Sequence, residues 1–133
     1  MGRLIDTVAW VHLADGRILG ARSRGKELFY IPGGKREPGE SDVQTLVREV
    51  REELAVALDP DSAEHVGTYT AQAEGHPEGT LVRMACYTAR HEGTPRASNE
   101  IEEIAWLSLA DRHRTPLVDQ AAFDALAEAG RLR

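Results

Sequence analysis

The chain has 133 residues, 41% of them hydrophobic and 29% charged, and its formal net charge is −6. This length predicts a single domain over residues 1–133, and the acidic balance argues against a protein that binds duplex nucleic acid through a basic face. The sequence holds no apolar run near the ~20 residues that span a bilayer, and the pattern of its first residues leads us to expect no signal peptide. We therefore expect a cytoplasmic protein without a membrane partner, and its one cysteine, Cys86, agrees with a reducing compartment.

The first third of the chain has the pattern of short strands. Residues 4–13 are rich in Ile, Val and Trp and predict a strand, Asp15-Gly16 is a hairpin turn signal, and residues 17–21 are the returning strand. A short apolar run over residues 28–31 is stopped by Pro32, which predicts the end of a further strand.

The strongest helix signal follows the loop Pro32-Gly33-Gly34. Ser41 and Gln44 match a capping box, so a helix is predicted over residues 41–54. Its apolar residues recur at helical spacing and would pack on a sheet: Val43, Leu46, Val47, Val50 and Leu54.

The rest of the chain predicts more strands and a second helix. Strands are expected over residues 64–73, 80–91 and 104–107. The second helix would have Thr115 as N-cap, Pro116 as its first residue and Gly130 at its end. Its expected inward face comprises Val118, Ala122, Ala125, Leu126 and Ala129. A sheet flanked by helices indicates the α/β class.

Three carboxylates are crowded on one side of the first helix. At about 100° per residue, Glu49, Glu52 and Glu53 fall within roughly 100° of arc, opposite the apolar stripe. Like charges at this spacing repel, and crowded hard oxygen atoms are what Mg²⁺ or Mn²⁺ needs. A solvated acidic face is the alternative, but the glycine-rich loop just before the helix favours a ligand site.

The same segment resembles the Nudix box, G-x5-E-x7-R-E-U-x-E-E-x-G-U with U aliphatic, over residues 34–56. The chain reads Gly34, five residues, Glu40, seven residues, then Arg48-Glu49-Val50-Arg51-Glu52-Glu53-Leu54-Ala55-Val56. Every fixed position matches except the last glycine, where Ala55 stands. A glycine there would end the helix in a left-handed conformation, which alanine adopts at a cost of roughly 1 kcal/mol.

The resemblance implies an α/β/α sandwich with a mixed central sheet and flanking helices. It also implies Mg²⁺-dependent hydrolysis, with Mn²⁺ as the other ion, of a diphosphate linkage in a nucleoside diphosphate linked to another moiety. Pro32-Gly33-Gly34-Lys35 after an aromatic run is similar to the MutT-like branch and favours a nucleoside triphosphate pyrophosphohydrolase. The alternative is a non-catalytic, nucleotide-sensing module of the same fold. The intact glutamates argue against that alternative, and the sparse basic surface argues against highly phosphorylated inositols.

The family roles carry over residue by residue. The resemblance implies that Glu49, Glu52 and Glu53 bind metal, that Glu49 is a candidate base, and that Gly34 offers its carbonyl oxygen to the metal. Arg48 would orient a glutamate through an ion pair with Glu40 or Glu49, which makes Arg48 and Glu40 structural supports of the site.

A further acidic residue is expected before the strand that contains Trp106. Glu100 is our first choice as the extra ligand or base, and Glu103 is the second.

Substrate contacts are the least specified part of the sequence. Arg22, Lys35 and Arg36 lie near the expected path of the phosphates, although each also suits an ordinary surface. One of Phe29 and Tyr30 should face the pocket and the other the core, because neighbours in a strand point to opposite sides; Phe29 is taken as the pocket residue. The expected partner is a small anionic nucleotide-like substrate, and domains of this size often form symmetric homodimers.

Overall fold

A computed structural model of the protein describes residues 2–133. Two α-helices, α1 (Asp42–Leu54) and α2 (Leu117–Glu128), and two 3₁₀ helices (Pro60–Ser62 and Leu109–Arg114) occur in this range. Within it, no helix has the length and apolar character needed to cross a membrane. The strands are β1 (Arg3–Trp10), β2 (Leu13–Ala14), β3 (Arg17–Ser23), β4 (Gly33–Lys35), β5 (Ala57–Leu58), β6 (Glu64–Gln72), β7 (Thr80–Thr88), β8 (His91–Glu92) and β9 (Ile101–Leu107).

The sheets are organised around β1. Its sheet has the order β4-β1-β7-β6, in which β1 runs parallel to β7 and antiparallel to β4, and β6 runs antiparallel to β7. A second sheet has the order β2-β3-β9, and β5 pairs with β8. Because the main sheet is mixed and helices cover both faces, the fold is an α/β/α sandwich, as the sequence predicted.

Alternation along β1 divides the core between the two helices. Val8 and Trp10 are buried in one cluster with Leu46 and Val50 of α1. Ala9, between them in the chain, belongs to the other cluster, which contains the inward residues of α2. Adjacent residues of one strand therefore face opposite helices, which keeps α1 against β1 and β4.

Helix α1 forms as its sequence predicts. The amide of Gln44 donates to Ser41 Oγ over 3.1 Å, and the amide of Ser41 donates to Gln44 Oε1 over 2.9 Å, which completes the capping box. The helix ends at Leu54, and Ala55 is left-handed with φ 57° and ψ 33°. The alanine therefore occupies the conformation for which the Nudix pattern has a glycine.

Two predicted elements are corrected. Residues 28–31 form no strand; Tyr30 makes a single bridge with Ala21. Helix α2 begins at Leu117 instead of Pro116, because Pro116 is extended with ψ 163° and acts as the N-cap. The hydroxyl of Thr115 donates to the carbonyl of Arg112 over 2.8 Å, so it closes the preceding 3₁₀ helix instead of capping α2.

The inward face of α2 also differs from the prediction. Val118, Ala122 and Leu126 are buried as expected, but Ala129 is exposed and Ala125 only partly buried. Two unpredicted residues, Asp119 and Phe123, are buried in their place. Asp119 is important for the site described below.

Candidate functional site

The site lies where α1 crosses β4. Gly34 pairs with Val8 of β1, which places the glycine backbone beside the helix. A Cβ atom on Gly34 would lie 2.6 Å from each carboxylate oxygen of Glu49, too close for any real contact. Only glycine at position 34 therefore lets the Glu49 carboxylate approach the strand this closely.

Glu53 is the buried acid of the site, with 3% of its surface exposed. The amide of Gly33 donates to Glu53 Oε1 over 3.0 Å, and the hydroxyl of Tyr30 donates to Oε2 over 3.1 Å. Burial raises the pKa of Glu53 to about 8, against the effect of these hydrogen bonds, and the nearby charges of Glu49 and Glu100 raise it further. Over residues 2–133, Glu53 forms no ion pair.

Arg48 links Glu40 to Glu49. Its Nε is 2.7 Å from Glu40 Oε2, its Nη2 is 2.9 Å from Glu40 Oε1, and its Nη1 is 2.9 Å from Glu49 Oε1. The hydrogen bonds from Arg48 are the main reason that the pKa of Glu40 is lowered to about 2. For Glu49, burial outweighs the same arginine, and its pKa is raised. The predicted ion pairing of Arg48 is confirmed, and it involves both candidate glutamates.

The three glutamates of α1 do not share one environment. Glu52 has 47% of its side chain exposed, whereas Glu49 has 16%. In the described chain, no three His, Cys, Asp or Glu side chains converge closely enough to form a ready metal site. The expected cluster is thus two inward carboxylates and one outward carboxylate, because Glu52 is rotated away from β4 on the helix.

The segment before β9 brings a further acid to α1. The amides of Arg96 and Ser98 donate to the carbonyl oxygens of Leu54 and Glu53, each over 3.0 Å. Glu100 follows on this segment, is exposed, and contributes to the raised pKa of both Glu49 and Glu53.

Glu103, the second choice for the extra acid, lies in a different setting. Its Oε1 is 3.1 Å from Arg22 Nη2, and Glu102 Oε1 is 2.8 Å from the same nitrogen. Glu103 is therefore neutralised by an arginine, and Glu100 is the acid whose charge acts on the inward glutamates.

The donor set suits the divalent cation that the motif implies. Glu49 and Glu53 offer hard carboxylate oxygens, and the space left by the missing side chain of Gly34 is occupied by the Glu49 carboxylate. Glu53 has only neutral hydrogen-bond donors in the described structure, while its acidic neighbours raise its pKa. A bound cation would stabilise this concentration of negative charge.

A cavity of about 250 Å³ opens next to β4. Tyr30, Gly34, Lys35 and Asp119 are among the residues that line it. Asp119 is buried, accepts a hydrogen bond from the amide of Ile31 over 2.7 Å, and has its pKa raised to about 7 by burial. Sequence reasoning missed Asp119; the signal was an acidic residue between Val118 and Ala122 on an apolar helix face.

The predicted substrate contacts are only partly brought together. Lys35 lines the cavity, but Arg22 pairs with acids of β9 and Arg36 pairs with Asp6 and Asp42. The choice of Phe29 as the pocket residue is wrong in placement, because Phe29 is 2% exposed and lies in the core. Tyr30, its neighbour, faces the cavity instead.

Comparison with known proteins agrees with this geometry. Residues 3–126 match the family model described as the NUDIX domain. A protein of Escherichia coli described as CTP pyrophosphohydrolase is 33% identical over 120 residues, covering 86% of this chain and 84% of the relative. These matches extend far beyond the motif at residues 34–56.

Solved structures give the same result for the fold. The solution structure of the E. coli ORF135 protein superposes with a TM-score of 0.77 and 27% identity, covering 96% of this chain and 91% of that one. The MutT NUDIX hydrolase from Burkholderia pseudomallei has a TM-score of 0.77 and 24% identity, with 93% and 98% covered. This chain therefore belongs to the Nudix hydrolase family.

Proposed function

We propose that this enzyme hydrolyses the diphosphate linkage of a nucleoside triphosphate in a Mg²⁺-dependent reaction, releasing a nucleoside monophosphate and pyrophosphate. One observation carries the proposal: the inward carboxylates of Glu49 and Glu53 lie against β4, whose glycines also border the cavity containing Asp119. Oxygen ligands for a cation and a cavity for the nucleobase are thus found beside the same strand. The similarity to a CTP pyrophosphohydrolase supports the proposal and makes CTP the first substrate to test.

Glu49 and Glu53, with Glu52 and the carbonyl of Gly34, would hold the cation. When bound, a divalent cation supplies charge neutralisation for phosphate oxygens and acidifies water. Arg48 donates to Oε1 of Glu49, which leaves Oε2 of this carboxylate for the cation.

A carboxylate is also needed to take the proton of the attacking water. Glu100 suits this task, because in the described part of the chain it is exposed and forms no ion pair. Glu49 is the alternative base. In either case the water oxygen bonds to phosphorus, the bridging phosphorus–oxygen bond breaks, and pyrophosphate leaves.

The cavity is proposed to receive the base of the nucleotide. Its 250 Å³ is below the ~300–1,000 Å³ of pockets for larger ligands, which suits a single base. Asp119 would accept a hydrogen bond from an exocyclic amino group, and cytosine carries such a donor at N4. Lys35, at the cavity wall, would face the phosphates.

The test is a product analysis with Mg²⁺ over nucleoside triphosphates, dinucleoside polyphosphates, nucleotide sugars and isoprenoid diphosphates. We expect pyrophosphate release from nucleoside triphosphates that requires the cation and falls at least 10- to 100-fold in Glu53→Gln. Glu128→Gln, on the exposed side of α2, is the matched control and should retain activity. Metal binding without turnover of any compound would overturn the proposal.

Base selection has its own test. Wild-type protein should prefer CTP to UTP in kcat/KM, since UTP lacks the amino donor, and Asp119→Asn should reduce that preference. An unchanged CTP-to-UTP ratio in Asp119→Asn would remove Asp119 from base recognition.

A further inference from the structure

Tyr30 joins the cavity to the acidic centre. Its side chain lines the cavity, and its hydroxyl lies 3.1 Å from Glu53 Oε2 and 2.9 Å from Ser23 Oγ. The residue is only partly buried, yet its hydroxyl is engaged on both sides. Tyr30 thus contacts the buried acid directly and Ser23 on the neighbouring strand.

The donor in each of the two hydrogen bonds of Tyr30 follows from the number of hydrogens that each group carries. A tyrosine hydroxyl has a single hydrogen, and the ionised form of Glu53, which is the form that binds a cation, can only accept, so Tyr30 donates to Glu53 Oε2 in that form. Ser23 must then donate to the oxygen of Tyr30. Chains of this kind polarise each other, and each bond strengthens the next.

The backbone of β3 places Ser23 for this contact. The pairing of β3 with β9 changes register between Arg22 and Ser23. Such a bulge redirects the side chain that follows it, and bulges are over-represented next to active sites. The serine at the irregular position is the one whose hydroxyl meets Tyr30.

Glu53 is held at two points by neutral donors. Gly33 donates to one oxygen and Tyr30 to the other, which fixes the rotation of the carboxylate group. Each oxygen keeps a further lone pair, so the hydrogen bonds leave room for a cation. Within residues 2–133, no positive side chain pairs with Glu53, so these two donors define its orientation.

We propose that Ser23 and Tyr30 are positioning residues whose hydroxyl relay holds the Glu53 carboxylate in the orientation that binds the divalent cation. The inference rests on the proposed function, because it concerns the same site. Partners that orient a metal ligand contribute strongly to metal affinity, and their loss typically costs 10- to 100-fold.

The test compares three substitutions. Tyr30→Phe removes one hydroxyl and keeps the ring at the cavity, and Ser23→Ala removes the first donor of the relay. Tyr87→Phe is the matched control, because its hydroxyl also donates to a carboxylate, Asp42 Oδ2 at 2.8 Å, away from Glu53. Circular dichroism establishes that each variant is folded.

Free Mn²⁺ is measured by electron paramagnetic resonance during titration of each protein without nucleotide, and kcat and KM are measured separately. We expect Mn²⁺ binding about 10-fold weaker in Tyr30→Phe, a smaller loss in Ser23→Ala, and wild-type binding in Tyr87→Phe. With CTP and fixed Mg²⁺, kcat should fall in the first two variants while KM stays within about 2-fold.

Wild-type Mn²⁺ affinity in a folded Tyr30→Phe protein would overturn the inference, as would a change confined to KM. If Tyr30→Phe does not fold, Ser23→Ala decides, and wild-type affinity there would overturn the relay. A wild-type protein that binds Mn²⁺ but cleaves no nucleotide would reject the proposed substrate class. In that case the Mn²⁺ comparison alone upholds or overturns the role of Tyr30.

Discussion

Arg48 and Glu40 form a two-point ion pair, with Nε 2.7 Å from Oε2 and Nη2 2.9 Å from Oε1. The remaining guanidinium nitrogen reaches Glu49. Because the guanidinium is planar and rigid, its contact with Glu40 also fixes the position from which it contacts Glu49. Glu40, two residues before the start of α1, thus influences through Arg48 the orientation of Glu49, about two turns along the helix.

This relationship predicts that Arg48→Lys will damage the site although the charge is kept. A lysine ammonium cannot bind Glu40 at two points and reach Glu49 simultaneously. We expect kcat to fall by about 10- to 100-fold and Mn²⁺ binding to weaken in parallel. Arg51→Lys, an exposed residue of the same helix, is the control. Near-wild-type kcat in Arg48→Lys would contradict the positioning role.

Gly34→Ala should disable the site through a steric clash with the Glu49 carboxylate. Gly34 needs no left-handed backbone, so alanine is allowed there, but its Cβ would meet both oxygens of Glu49 at 2.6 Å. We expect at least a 10-fold loss of Mn²⁺ affinity with the fold retained. A double-mutant cycle with Glu49→Ala separates the causes, because the alanine at position 34 should have no further effect once the carboxylate is gone. Additive losses would contradict the steric explanation.

Ala55→Gly should stabilise the protein. Ala55 is left-handed with φ 57°, a conformation that costs an L-residue roughly 1 kcal/mol more than glycine. Urea denaturation should therefore give an unfolding free energy higher by about 1 kcal/mol, with kcat unchanged. As a control of opposite sign, Ala121→Gly in the middle of α2 should lower the unfolding free energy by about 1 kcal/mol. Destabilisation by Ala55→Gly would mean that the αL cap carries no strain.

Asp119 should make stability depend on pH. Its pKa is about 7 in the folded protein against 3.8 for an exposed aspartate. A raised acid pKa favours the folded state most below pH 3.8, and that contribution is lost as the pH rises through about 7. In EDTA, wild-type Tm should therefore fall between about pH 5 and pH 8 more steeply than the Tm of Asp119→Asn.

Asparagine is a suitable replacement in that experiment because its oxygen can still accept from the amide of Ile31. Glu53 titrates in the same direction, so the difference between the two proteins isolates Asp119. Parallel pH profiles would show that Asp119 does not titrate in this range.

The parts of the fold that were predictable from sequence are those with local signals. Helix α1 has its cap in Ser41 and Gln44 and its apolar stripe in its own residues, so its bounds needed no tertiary information. The start of α2 was misplaced because Thr115 is an equally good cap by sequence. Only the hydrogen bond of Thr115 back to Arg112 assigns it to the preceding turn.

The sequence allowed the residues of the site to be predicted, but not which of their side chains are buried and which are exposed. A helical wheel places Glu52 and Glu53 at the two ends of an arc of about 100°, but it does not show which end faces the strand, so it could not predict that Glu53 is buried and Glu52 exposed. Strand alternation likewise puts Phe29 and Tyr30 on opposite sides without saying which side is the core. Asp119 could not be identified from sequence, because the hydrogen bond that compensates its burial comes from the amide of Ile31, 88 residues earlier in the chain.

Two backbone amides of the segment before β9 donate hydrogen bonds to the last turn of α1. They can therefore report local separation of this segment from the helix. Arg96 and Ser98 pair with consecutive carbonyls, Leu54 and Glu53, so separation of this segment from the helix would free both hydrogens together. The same event would carry Glu100 away from its acidic neighbours. Hydrogen–deuterium exchange at these two positions would therefore report how often the enzyme samples a state in which its acids are apart.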